Sequence, residues 1–237
     1  MRLWPHHWVE YATLGLILAV LVALLLPVPN VPRGEARREQ CKDNLKHIGL
    51  ALHNYQEDYG SFPPAYTVDV QGNRLHSWRT LILPYLDQKP LYDKIDLNKP
   101  WDDPANAEVM SAQLAVYQCP SADLAPTQTT YLAFSGDDFC FAPTKGRAFT
   151  EITDGLPNTV MIFETDKSHA VGWGSPDDGG AELFLQCNDK TPQTHTGGSY
   201  VALADGSVRF VGMGVKLTEK TRKTLMTIAG GEELEEF

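Results

Sequence analysis

The stretch that most limits what this chain can become is Tyr11–Val28, 18 residues without a charge, most of them Leu, Val, Ala and Ile. At 1.5 Å per residue a helix of that length runs roughly 27 Å, close to the hydrocarbon thickness of a bilayer. Trp4, Trp8 and Tyr11 crowd its start, as aromatic rings do at a membrane–water interface. A secretory signal peptide is the rival reading. It fits poorly: the core is long, only Arg2 precedes it, and Pro27, Pro29 and Pro32 stand where small residues would mark a cleavage site. The run therefore reads as a retained transmembrane helix over 11–28, with membrane lipid as its partner and residues 1–10 as a short tail.

Beyond the prolines the pattern becomes amphipathic. Cys41, Leu45, Ile48, Leu52, Tyr55 and Tyr59 are spaced 4-3-4-3-4, which lines them along one helix face. Arg37, Arg38, Glu39, Lys42, Asp43, Lys46, Glu57 and Asp58 fall mostly on the other faces. Gly60 and then Pro63-Pro64 predict a stop near Tyr59. Five spacings are short for a coiled-coil seam, so the stripe Leu45, Ile48, Leu52 and Tyr55 is expected to pack on a globular domain. Linker and spine thus occupy 29–60, and 61–237 is long enough for one sizeable domain.

From Thr130 onward the period is that of strands. Tyr131–Phe134, Thr159–Phe163, Leu183–Gln186, Tyr200–Ala204 and Val208–Val211 are short β-rich runs separated by Gly, Asp, Asn and Pro. Asp205-Gly206 between the last two predicts a hairpin turn, because Gly supplies positive φ freely and Asp tolerates it. Earlier, 66–70 reads as a short strand, Trp78–Tyr92 as a short helix broken at Pro84 and Pro90, 107–114 as one or two helical turns, and 115–118 as a short buried strand. Thr218 is placed to cap a last helix that stops at Gly230-Gly231. The fold class is α+β: a membrane helix and an amphipathic spine packed on an antiparallel sheet.

The formal net charge is −10 and no basic patch follows the spine, which argues against nucleic acid as a partner. Arg33, Arg37, Arg38, Lys42 and Lys46 follow the apolar run against Arg2 before it, so the positive-inside rule alone keeps the C-terminal domain in the cytoplasm. Large domains can translocate despite such charges, and sidedness stays open at this level. Cys41, Cys119, Cys140 and Cys187 are widely dispersed with no CxxC, which gives a zinc site little support. They can form two disulfides by three pairings, Cys119 with Cys140 closing the shortest loop between neighbours, or remain buried free thiols.

Three polar groupings invite chemistry. His195 and Asp205 would sit at opposite ends of a strand, roughly 33 Å apart if extended, too far for one general-base dyad unless the chain folds back. A hydrolase built on them is the weakest reading, and a histidine capping a strand start the stronger one. Asp177, Asp178 and Glu182, with Asp166, flank the loop GWGSPDDGG and could offer oxygen ligands to Ca²⁺, on which a calcium- or glycan-binding surface reading rests. Their spacing is not that of an EF-hand, and a solvated loop is favoured. Ser168-His169 lacks a nucleophile-elbow pattern, and no phosphate-cradling glycine loop is present. No cofactor is expected beyond that calcium candidate, and no enzyme activity.

Taken together, five stretches resemble the pilin-like family catalogued as domain of unknown function 1559. They are ARREQCKDNLKHIGLALHNYQEDYGSFPPAY at 36–66, SWRTLILPYLDQKPLYDKID, VYQCPSAD, TDGLPNTVMIFET, and His195 followed after nine residues by Asp205-Gly206. Leu156-Pro157 depart from the family's usual Asp-Gly-Thr-Ser-Asn-Thr. The resemblance implies a type IV pilin or pseudopilin architecture, with the N-terminus inside, the globular domain in the periplasm or outside, and no catalysis. The chain is expected to assemble with other membrane or pilin-like subunits or to serve as an accessory subunit of a larger membrane complex. Aligning LLLP at Leu24–Pro27 puts Glu10 on the Glu that pilins use in assembly, but places Pro5 where their peptidase needs Gly. The processing site is expected to be lost and the anchor kept.

Overall fold

A computed structural model describes residues 7–25, 33–186, 191, 193–212 and 218–231. Two long helices come first, α1 (His7–Leu25) and α2 (Arg33–Tyr59). Contacts divide the chain into two units, one to Ala36 and one from Arg37. Within α1 the described side chains run from Tyr11 to Val22, and all of them are exposed. Among the described residues no helix is long and apolar enough to cross a membrane. Pro27, Pro29 and Pro32 lie outside the described residues, as do residues 1–6.

The second unit is built on α2. Cys41, Leu45, Ile48, Ala51 and Leu52 are fully buried, and Tyr55 is half-buried. Tyr59 ends the stripe at the surface, its ring stacked on Tyr55. Leu50 points to the opposite side and is exposed. The helix stops where expected: Gly60 takes φ +75° and its N–H donates to the Gln56 carbonyl.

After α2 come the hairpin strands β1 (Tyr66–Val68) and β2 (Arg74–Ser77) and the short helix α3 (Trp78–Leu81). A 3₁₀ turn at Leu83–Leu86 and α4 (Lys89–Tyr92) follow, broken at the two prolines as the sequence predicts. α5 (Ala107–Met110) is a single helical turn. The stretch 115–118 is a correction: it forms a 3₁₀ turn at Ala115–Tyr117, not a strand. Asn44 of α2 explains this, because its Nδ2 donates to both the Ala115 and Gln118 carbonyls and holds them on the same side.

The main sheet has four antiparallel strands in the order β4-β5-β7-β8. These are β4 (Tyr131–Ala133), β5 (Val160–Glu164), β7 (Gly198–Leu203) and β8 (Val208–Gly212), while β3 (Gln128–Thr129) pairs separately with β6 (Val171–Gly172). Side-chain alternation sorts the sheet into two faces. Tyr131, Ala133, Ile162, Ala202 and Ala204 join the buried stripe of α2 in one core. Leu132, Phe134, Val160, Phe163, Val201 and Leu203 form a second core on the other face. A shift of register between Val160 and Ile162 turns Met161 and Ile162 to the α2 side together.

The second face is closed by α6 (Ala181–Leu185) and α7 (Glu219–Met226), through Phe184, Leu225 and Met226. α6 replaces the strand expected at 183–186. A run of four apolar or polar residues cannot tell strand from helix, and Ala181, Glu182 and Leu183 favour helix once Phe184 can reach Phe134 and Phe163. α7 starts as predicted, the Thr218 Oγ1 accepting from the Thr221 N–H. The result is α+β with antiparallel sheets.

Candidate functional site

The hairpin β7–β8 positions the C-terminal signature. Its register runs from Gly198 opposite Gly212 to Ala202 opposite Val208, and the turn closes with Gly206 at φ +83°. Asp205 Oδ1 accepts from the Ser207 N–H, so the carboxylate is used inside the turn. The turn seats on α2. A Cβ placed on Gly49 would lie 3.4 Å from the Gly206 backbone, and one on Gly206 would lie 3.4 Å from the His53 ring. His53 Nε2 is 3.0 Å from the Ala204 carbonyl oxygen, to which it donates in the Nε2–H tautomer. Asp205-Gly206 is thus the contact by which the hairpin docks on the spine.

His195 lies at the other end of β7, where its carbonyl accepts from the Gly198 N–H. The ring is buried and packs edge-on against Tyr200. Its Nε2 is 3.1 Å from Glu164 Oε2 and 3.8 Å from Cys119 Sγ. Glu164 ends β5, and its side chain is wholly removed from solvent. Its Oε1 has no hydrogen-bond partner among the described residues. Cys119 is bonded to Cys41 of α2, across 78 residues of chain. One ligand-type atom from each of Cys41, Cys119, Glu164 and His195 lies within 4.8 Å of the other three. Above them Tyr131, opposite Glu164 in the β4–β5 pair, is nearly sealed in; burial first and the Glu164 charge second push its hydroxyl well above its ordinary range.

Several sequence readings are resolved by this geometry. His195 and Asp205 are held apart by β7, and Glu164, not Asp205, is the carboxylate that meets His195. The cysteine pairing is Cys41 with Cys119; the short Cys119–Cys140 loop does not close, because Cys140 is a free, buried thiol. Cys187 lies outside the described residues, and so do the side chain of Glu10 and all of Pro27.

The calcium candidates do not converge. Asp178 is buried against the fully buried Arg79, with which it forms an ion pair. Its Oδ1 also accepts from the Ala133 N–H at 2.7 Å, and Oδ2 from Trp78 Nε1 at 2.9 Å. Burial raises its carboxyl above the usual range, opposed by the Arg79 charge and by these donors. Asp177 accepts from Ser175 Oγ within the same loop, and Glu182 sits in the first turn of α6. Asp166 caps a 3₁₀ turn and bonds Ser168 and His169. Asp166, Asp177 and Asp178 are each engaged with different partners.

Glu164 and Arg79 were missed by the sequence reading. Each is a charge inside an otherwise apolar run, VMIFE and WRTLIL, and such residues are almost never buried without a partner.

A long helix cross-linked to the loop ahead of an antiparallel sheet, with a histidine–carboxylate pair under the cross-link, defines an α+β domain organised by its N-terminal spine. The chain belongs to the family described as Protein of unknown function (DUF1559), whose model matches residues 31–194. That match takes in Cys41, Cys119 and Glu164 and ends one residue before His195. No curated protein and no solved structure matches the chain at a significant level.

Proposed function

We propose that this protein is a membrane-anchored, non-catalytic structural subunit of pilin or pseudopilin type, whose globular domain is exported to the periplasm or cell exterior. One observation carries it. On α1, Tyr11, Leu14, Leu16, Ile17, Leu18, Val20, Leu21 and Val22 are each at least half exposed. At 100° per residue they span about 240° of the circumference, and Ala12, Gly15 and Ala19 fill the rest; a helix with no charged face belongs in a core or in lipid. The uncharged sequence continues to Val28, the length a bilayer asks for.

Export is supported by the Cys41–Cys119 disulfide, a bond that persists in oxidising compartments. The buried face of α2 supports the spine-on-sheet organisation that the family resemblance implies. A hydrolase reading loses its dyad, since Asp205 closes a turn and His195 is sealed beneath the cross-link. The proposed partners are lipid and other membrane or pilin-like subunits.

Alkaline carbonate extraction of membranes tests the anchor. The intact chain should stay in the pellet, and a Leu16→Arg, Val20→Arg double variant should be released. Each Arg costs about 2.5–3.5 kcal/mol at the centre of a spanning helix. An intact chain that carbonate releases would overturn the anchor.

A further inference from the structure

We propose that Cys41, Cys119, Glu164 and His195 form a metal site that takes Zn²⁺ when the two sulfurs are thiols, the disulfide being the metal-free, oxidised form of the same centre. The four residues come from α2, the loop after the 115–117 turn, the end of β5 and the turn just ahead of β7. All four are buried, and their donor atoms already lie within 4.8 Å of one another. Two sulfurs, one imidazole nitrogen and one carboxylate oxygen are a donor set that a tetrahedral zinc site uses. For metal–ligand bonds of about 2.0–2.3 Å, tetrahedral donors stand roughly 3.3–3.8 Å apart. His195 Nε2 is 3.1 Å from Glu164 Oε2 and 3.8 Å from Cys119 Sγ. The two bonded sulfurs must part, and donors standing near the 4.8 Å limit must close in on the centre.

A second observation points the same way. Glu164 is a fully buried carboxylate with Oε1 unpartnered among the described residues, facing a neutral disulfide and one imidazole. A buried carboxylate is costly unless it is paired or coordinates a metal. A cation at the centre of the four donors supplies that missing charge. An imidazolium at His195 is the competing source of charge, and it requires no metal.

The chemistry balances simply. A dithiol or phosphine reductant gives two electrons, and two protons join the sulfurs, to yield two thiols. Zinc then displaces both thiol protons, the Glu164 carboxylate binds as it stands, and the imidazole proton moves from Nε2 to Nδ1 so that the Nε2 lone pair faces the metal. Oxidation of the two thiolates to the disulfide removes two ligands and releases the ion.

The test uses the full chain in detergent, with Cys187→Ser so that no thiol outside the described residues contributes, and Co²⁺ as a visible substitute for Zn²⁺. The reduced protein should bind one Co²⁺ per chain, with the visible bands of a tetrahedral ion and thiolate-to-cobalt charge transfer. The oxidised protein should bind none, and Zn²⁺ should displace the cobalt. Glu164→Gln, which keeps the side-chain shape, should weaken binding by about tenfold or more. Cys119→Ser should remove the charge-transfer band of its sulfur. Reduced protein that takes up no cobalt, folded or not, overturns the proposal. So does uptake of equal strength in Glu164→Gln, or uptake whose bands show no thiolate.

Discussion

Removing the Asp178 carboxylate is a direct test of how the centre of this domain is held. In Asp178→Ala, Arg79 keeps its charge at a site with no solvent access, and Trp78 Nε1 and the Ala133 N–H lose their acceptor. Breaking a buried ion pair by removing one partner costs about 3–5 kcal/mol. Leaving the Trp78 donor buried and unpaired adds about 1–3 kcal/mol. The sum, at least about 4 kcal/mol, is a large part of a typical domain's 5–15 kcal/mol. Urea unfolding of the detergent-solubilised chain, followed by fluorescence of the buried Trp78 and Trp173, reads this as a lower midpoint. Pairing Asp178→Ala with Arg79→Met should cost less than the two single changes summed, by roughly 0.5–3 kcal/mol, because the stranded charge has gone. Adding Ca²⁺ should leave the wild-type midpoint where it is. A single variant within 1 kcal/mol of wild type, a threshold well under the ~4 kcal/mol expected, would refute the buried pair, and a calcium-dependent midpoint would restore the metal reading of the loop.

Leu52→Ala, which empties a fully buried position of the α2 stripe, should lower stability by about 2–5 kcal/mol in the same unfolding assay. Gly206→Val should lower it by at least about 1–2 kcal/mol, since a β-branched residue resists φ +83° and its Cβ meets the His53 ring. Burial pushes the Cys140 thiol up to about 12, so near pH 8 about one molecule in 10⁴ carries the thiolate, and Cys140 should react with a thiol reagent only after unfolding. The sign of the linked effect follows: the unfolded thiol ionises at a lower pH than the folded one. The contribution is intact below the unfolded value, near 9, and is lost as pH rises towards 12, which Cys140→Ala should flatten in an alkaline unfolding series.

What the sequence makes legible here is local. The α2 stripe can be read from its spacing because Cys41, Leu45, Ile48 and Leu52 lie on one line of one helix. The β7–β8 hairpin can be read from Asp205-Gly206 because the turn demands its own residues. The centre under the cross-link is another matter. Its four members stand at 41, 119, 164 and 195, each on a different element, and no spacing rule links them. The absence of CxxC weakened the case for a metal because such motifs describe ligands on one loop. A charged residue inside an apolar run was the signal that remained, at Glu164 and at Arg79, and the partner of each could come only from three dimensions. Leu183–Gln186 misleads for a different reason: four residues are too few to show a period, and the Phe184 pocket decided the outcome.

Because α2 meets β7 at both ends, the helix and the strand set each other's length. From Cys41, beside the His195 end, to His53, beneath the Ala204 end, the helix advances about 18 Å. Gly198 to Ala204 covers about 20 Å of extended strand. One residue added between Cys41 and Gly49 would turn the helix by about 100° and lengthen it by about 1.5 Å. It could then keep Gly49 under the turn or Cys41 beside Cys119, but not both. Residues ahead of Cys41 carry neither contact, and length changes there leave the pairing intact. The spine therefore has one stretch whose length is dictated by the sheet at two fixed points, and another, ahead of Cys41, that meets the sheet through the Arg38 guanidinium over the Phe210 ring.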